Sequence, residues 1–141
     1  MSCYIKMFER LNLINKFNID VIKLKEFVLQ VSKSYRRVPF HNFTHCFNVT
    51  HVLYCILRQN EHNGENQFAK YVFQDLDKLA MLLACIGHDL NHPGLGNTYF
   101  VKADHRLSAT VNGKSVLENY HCYSLLRLME VTDVCGFLDY K

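Results

Sequence analysis

Residues 75–89 read DLDKLAMLLACIGHD, and the fold class turns on them. From Leu79 to Gly87 every residue is apolar, so the stretch presents apolar surface nearly all round. Asp75 and Asp77 at its start suit the positive end of a helix dipole. The reading is a helix buried on most of its sides. It ends on His88 and Asp89, and a polar pair at the end of an apolar helix is costly unless something satisfies it. A cation would.

Upstream, residues 4–17 form a short helix rich in Ile, Phe and Leu. Asp20 is the N-cap of the next helix, where Val21, Leu24, Val28, Val31 and Tyr35 recur at helical spacing and mark one buried face. Pro39 disfavours helical geometry at Val38, so RVPF ends that helix. Between residues 42 and 58 two apolar rows run together, Phe43, Phe47, Thr50, Tyr54, Leu57 and Cys46, Val49, Leu53, Ile56. So wide a face predicts an internal helix. Residues 59–67, QNEHNGENQ, read as a polar surface loop. Downstream, NHPGLGN breaks the chain, short helical pieces follow, and Ser115–Glu118 opens a last long helix. No alternating strand pattern and no internal repeat occurs. The chain reads as all-α.

At 141 residues and 49% hydrophobic the chain is one domain with enough apolar surface for a core. The net charge of +3 is mild and YRR (35–37) is the one basic cluster, which argues against a nucleic-acid groove or a membrane patch. The longest apolar run, LAMLLACIG, has nine residues against the roughly 20 needed to span a bilayer. The opening MSCYIKMFER has no apolar signal region. Six cysteines form no CxxC pair, so the expectation is reduced, mostly buried thiols in an intracellular, cytoplasmic protein. A structural zinc site made from them is not expected.

The histidines are less evenly spread. FHNFTH (40–45) sets His41 and His45 one helical turn apart, on the same side. HDLNH (88–92) adds His88, Asp89 and His92. Neighbours on a helix diverge by about 100°, yet a metal lying between His88 and Asp89 can take both. Imidazole nitrogen with carboxylate oxygen suits zinc and other divalent first-row metals. A single histidine on an apolar helix is more often a hydrogen-bonded core residue. Two clusters and an adjacent carboxylate outweigh that reading. His51 points elsewhere, His62 sits in the polar loop and His105 reads as exposed.

PFHNFTHCFNVTH (39–51), GHDLNHPGLGN (87–97) and SVLENYH (115–121) resemble, in order, the signatures of class I 3′,5′-cyclic-nucleotide phosphodiesterases. The match runs from about residue 5 to the end. YRRVPFHNFTHCF, with Phe40 before the first histidine, is most similar to the high-affinity cGMP-specific branch. The resemblance implies a multi-helix, HD-like metal-hydrolase fold, of which residues 1–141 form an N-terminal, partial catalytic domain. It implies hydrolysis of cGMP or cAMP to the 5′-monophosphate with two divalent ions, zinc and magnesium or manganese. His45, His88 and Asp89 would hold zinc, with Asp89 reaching the second ion. His41 would be the general acid, a role that suits a histidine near neutral pKa, and Glu118 would orient it. His92 would hydrogen-bond water on the metals, and Asn97 would steady its loop. His121 lies near without a role. By local sequence alone, Ser115 and Glu118 also fit a capping box; the resemblance favours the orienting role.

Three departures qualify the match. Asn91 stands where the family usually has an acid, and Tyr120 where it has the first of two histidines. The family's last metal-ligating aspartate, and its purine-binding glutamine and phenylalanine, lie beyond residue 141; Asp104, Asp133 and Asp139 come too early. The expectation is an incomplete domain with an apolar exposed face, open to self-association or to a full-length partner. Two alternatives stand beside it. One is a non-catalytic short isoform. The other is an HD-type phosphohydrolase acting on nucleoside monophosphates, which the aromatic-His-Asn and HPG motifs oppose.

Overall fold

The computed structural model describes residues 2–62 and 73–131. Among them every regular element is helical and no strand occurs. None of these helices is long and apolar enough to cross a membrane.

The expected helix over 4–17 is two helices, α1 (Ser2–Arg10) and α2 (Leu13–Lys16). Asn12 separates them in the left-handed region at φ 54, a conformation that asparagine tolerates better than most residues. α3 (Val21–Ser34) starts where expected. The Asp20 carboxylate accepts from the amides of Ile22 and Lys23 at 2.7 and 3.3 Å, satisfying donors that have no partner within the helix. α3 buries Leu24, Phe27, Val28 and Val31.

α4 (Phe43–His62) is capped by Asn42, whose side-chain oxygen accepts from the amides of Thr44 and His45. The first residues assigned to the polar loop, including His62, are helical here; 63–67 lie outside the described residues, as do Cys135, Asp133 and Asp139. α4 is not internal. Its Cys46, Thr50 and Leu57 are buried, but Val52 is 59% and Ile56 49% exposed. Both rows reach the core, through Phe43, Phe47 and Tyr54 in one and Cys46 and Leu53 in the other; Ile56 lies at the outer edge of the second row, and Val52 lies on neither. α5 (Asp75–Gly87) begins in a capping box between Gln74 and Asp77, and Asp75 pairs with Lys16 and Lys78. It packs most extensively on α4 and buries Leu79, Leu82, Leu83 and Ile86.

After α5 come α6 (Asn97–Lys102), α7 (Arg106–Thr110) and α8 (Val116–Val131). One core joins α1, α3, α4 and α5, and a smaller cluster of Phe100, Val116 and Leu117 joins α6 to α8. α8 comes close to α5 because residue 87 is glycine: a β-carbon there would stand 2.6 Å from Leu125 Cδ2. Its outer side carries exposed Tyr123, Leu126 and Val131. The cysteines correct the sequence reading. All five described are free, but Cys46 alone is buried, and Cys3 and Cys122 are exposed. Residues on apolar rows are exposed wherever the row looks outward.

Candidate metal centre

The C-terminus of α5 and the N-terminus of α4 meet at three side chains. His45 Nε2 lies 3.3 Å from His88 Nε2 and 3.4 Å from Asp89 Oδ2, and His88 Nε2 lies 3.2 Å from Asp89 Oδ2. The protons make this unusual. His88 Nδ1–H donates to the Cys85 carbonyl at 2.8 Å, so a neutral His88 turns an unshared Nε2 lone pair toward a carboxylate. Lone pairs converging on one point repel unless a cation or an added proton sits among them. Four ligands placed tetrahedrally about 2.0–2.1 Å from zinc lie roughly 3.3–3.4 Å from one another, which is the spacing found here. The donor set fits a metal ion.

Asp89 also faces a second group. His121 Nε2 lies 3.9 Å from Asp89 Oδ1, and Asp89, His92 and His121 form another set close enough to share an ion. His121 Nδ1–H donates to the Leu90 carbonyl at 2.7 Å, leaving Nε2 as an acceptor or ligand. His92 differs: its Nδ1 accepts from the Gly94 amide at 3.0 Å, so when neutral it carries its proton on Nε2 and offers a donor. Asp89 thus has one oxygen in each group.

His41 lies outside both groups. Its ring stacks on His92 with centroids 3.9 Å apart and planes 10° from parallel, and His92 stacks on His121 at 5.3 Å. Burial is the main cause that holds His92 and His121 below the usual histidine pKa. The unfolded chain therefore binds more protons than the folded one in the window below about pH 6.5. Stability from this source is complete above that pH and falls as the solution is acidified. Metal-free protein in chelator should show a melting temperature that drops between about pH 7 and 5.5, and His121→Asn should flatten the drop. A wild-type melting temperature that is level over this interval would contradict the assignment.

Glu118 and Asn97 meet each other rather than His41. Asn97 Oδ1 accepts from the Leu117 amide at 2.8 Å, and its Nδ2 donates to the Glu118 carboxylate at 3.0 and 3.3 Å. The Asn97 side-chain amide, helped by the backbone N–H of Glu118 itself, holds the Glu118 carboxyl below the usual carboxylate range. Asn97 therefore caps α8 from another element, and the Glu118 carboxylate is engaged by Asn97. Ser115 itself sits at φ 45. His51 and His105 stand apart, His105 capping α7 through Nδ1. The sequence left His121 without a role; its place three residues after Glu118, on one side of a helix, was the available signal.

A family model described as 3′5′-cyclic nucleotide phosphodiesterase matches residues 40–140. The high affinity cGMP-specific 3′,5′-cyclic phosphodiesterase 9A of Drosophila melanogaster is 44% identical over 124 residues, covering 88% of this chain and 8% of that protein. The mouse protein of the same name is 39% identical, with 86% and 22% covered. The 3′,5′-cyclic-nucleotide phosphodiesterase regA of Dictyostelium discoideum is 36% identical, with 99% and 17% covered. Among solved structures, the phosphodiesterase domain of the RhoPDE fusion protein of Salpingoeca rosetta superposes with a TM-score of 0.81 at 32% identity, covering 91% of this chain and 38% of that one. The chain thus spans well under half the length of each relative. A match over residues 40–140 that takes in all three histidine-bearing motifs, on an all-helical fold shared with a solved phosphodiesterase domain, places this chain in the 3′,5′-cyclic-nucleotide phosphodiesterase family.

Proposed function

We propose that this chain carries the metal-binding part of a catalytic domain that hydrolyses a 3′,5′-cyclic nucleotide, cGMP in the first instance, to its 5′-monophosphate. The observation that carries the reading is the convergence of His45, His88 and Asp89 within 3.2–3.4 Å. These three would hold zinc. Asp89, with its second oxygen toward His121, would share a magnesium or manganese ion. A divalent cation bound there supplies Lewis acidity toward a phosphoryl oxygen and a nucleophile from water at neutral pH.

The chain's own residues supply the rest. His41, outside both ligand groups, keeps a proton to deliver to the 3′ oxygen as the phosphorus–oxygen bond breaks. His92 offers an Nε2–H donor toward the centre, with its ring fixed by the stack between His41 and His121. Asn97 holds Glu118 and the start of α8 against the loop after Asp89. The preference for cGMP is supported by relatives named as cGMP-specific. Free thiols at all five described cysteines suit the reducing cytoplasm. The open face of α8, with Tyr123, Leu126 and Val131 exposed, favours self-association or docking on a longer partner.

A chimera tests this directly. Residues 5–131 of this chain replace the matching segment of the Salpingoeca rosetta phosphodiesterase domain. The chimera is expected to hydrolyse cyclic GMP when zinc and magnesium are supplied, and its His88→Ala variant is not. A folded chimera with bound metal and no turnover would refute the proposal.

A further inference from the structure

We infer that Tyr35 is a positioning residue for the metal centre, its hydroxyl holding the end of α5 in the geometry that aims Asp89 at the ions. This rests on the metal reading above and goes beyond the ligand set.

Tyr35 is the C-cap of α3, remote in sequence from the centre, and it is buried at 6% exposure. Its Oη–H donates to the Ile86 carbonyl at 3.1 Å, and the same oxygen accepts from the Asp89 amide at 3.3 Å. Both groups belong to the last turn of α5 and the residues after it, where backbone groups have lost their partners within the helix. One hydroxyl therefore ties the final carbonyls of the helix to the first amides beyond it. The ring is fixed in turn by Phe43, at 5.9 Å between centroids, and Phe43 is the first residue of the helix that carries His45. Tyr35 thus touches both elements that supply ligands.

The two bonds are not equivalent. Cys46 Sγ also donates to the Ile86 carbonyl, at 3.3 Å, so that carbonyl keeps a partner if the Tyr35 hydroxyl is removed. The Asp89 amide loses the Tyr35 oxygen outright. The consequence falls on Asp89, the residue common to both ligand groups. Tyr4 provides the control. It is also buried, at 1% exposure, and its hydroxyl donates to Cys46 Sγ at 3.3 Å, but it has no direct bond to the turn that carries His88 and Asp89.

The experiment is calorimetric titration of the 141-residue chain with zinc, with melting in chelator alongside, for wild type, Tyr35→Phe and Tyr4→Phe. Loss of a supporting hydrogen bond at a metal site costs about 10–100-fold in affinity, and Tyr35→Phe is expected to fall in that range. Tyr4→Phe should lower the melting temperature while keeping zinc affinity within roughly threefold, since it removes no direct bond to the turn that carries the ligands. Wild type that binds zinc, with Tyr35→Phe binding equally well, would overturn the inference and leave the metal centre standing. Equal weakening in both variants would also overturn it, as the signature of general core loosening. Wild type that fails to bind zinc would overturn the metal reading and this inference with it. Should Tyr35→Phe not fold, amide exchange in the wild type decides: the Asp89 N–H is expected to be protected in metal-free protein, and exchange at the free-chain rate would refute the bond to Tyr35.

Discussion

Replacing His41 by alanine in the active chimera is expected to lower turnover by about 10²–10⁴-fold while leaving bound metal unchanged. The separation of effects follows from where the ring lies. His41 stacks on His92 at 3.9 Å and belongs to neither group of metal-competent donors. Its removal takes away a proton donor and no ligand. His45→Ala does the opposite, since His45 Nε2 lies 3.3–3.4 Å from both His88 and Asp89; metal and activity should disappear together. Elemental analysis beside the rate measurement reads both quantities. Metal loss in the His41 variant, with retention in the His45 variant, would exchange the two roles.

The 141 residues alone are expected to give no cyclic-nucleotide hydrolysis above a His88→Ala background, even with zinc and magnesium supplied. Two causes act on the same transition state. The first group offers three protein donors, and loss of merely supporting contacts at a metal site already costs about 10–100-fold. The second cause is positioning, which contributes up to about 7–11 kcal/mol of the barrier when a substrate is held in line. The chain matches 38% of a solved phosphodiesterase domain, and α8 ends with its apolar side open. The expectation is that the remainder of such a domain holds the nucleotide over the ions. Clear turnover by the isolated chain would mean that it completes its site, for example by self-association, and the partial-domain reading would fail.

Much of the fold was legible because apolar periodicity reports directly on helices. The Asp20 cap, the buried row of α3 and the apolar helix ending at His88 and Asp89 all stand where the sequence puts them. The break between α1 and α2 was not legible, because a left-handed Asn12 interrupts no apolar row. Exposure of Ile56, Cys3 and Cys122 was also hidden: an apolar residue shows what a helix can bury, and the neighbours decide which side is covered. At the site, the local pattern Ser115–Glu118 pointed to a capping box, yet Asn97 from another helix caps α8 instead. His121 and Tyr35 escaped for the same reason. Their contacts with Leu90, Ile86 and Asp89 cross 31, 51 and 54 residues of sequence, and no spacing rule reaches that far.

Zinc titration of the purified chain, wild type beside His88→Ala, tests the central claim most directly. Three acceptor atoms separated by 3.2–3.4 Å are predicted to bind one zinc ion by calorimetry. Removing His88 is predicted to weaken that binding by more than the about 10–100-fold that loss of a supporting hydrogen bond costs. Equal zinc binding by the two proteins, or none by the wild type, would contradict the metal centre.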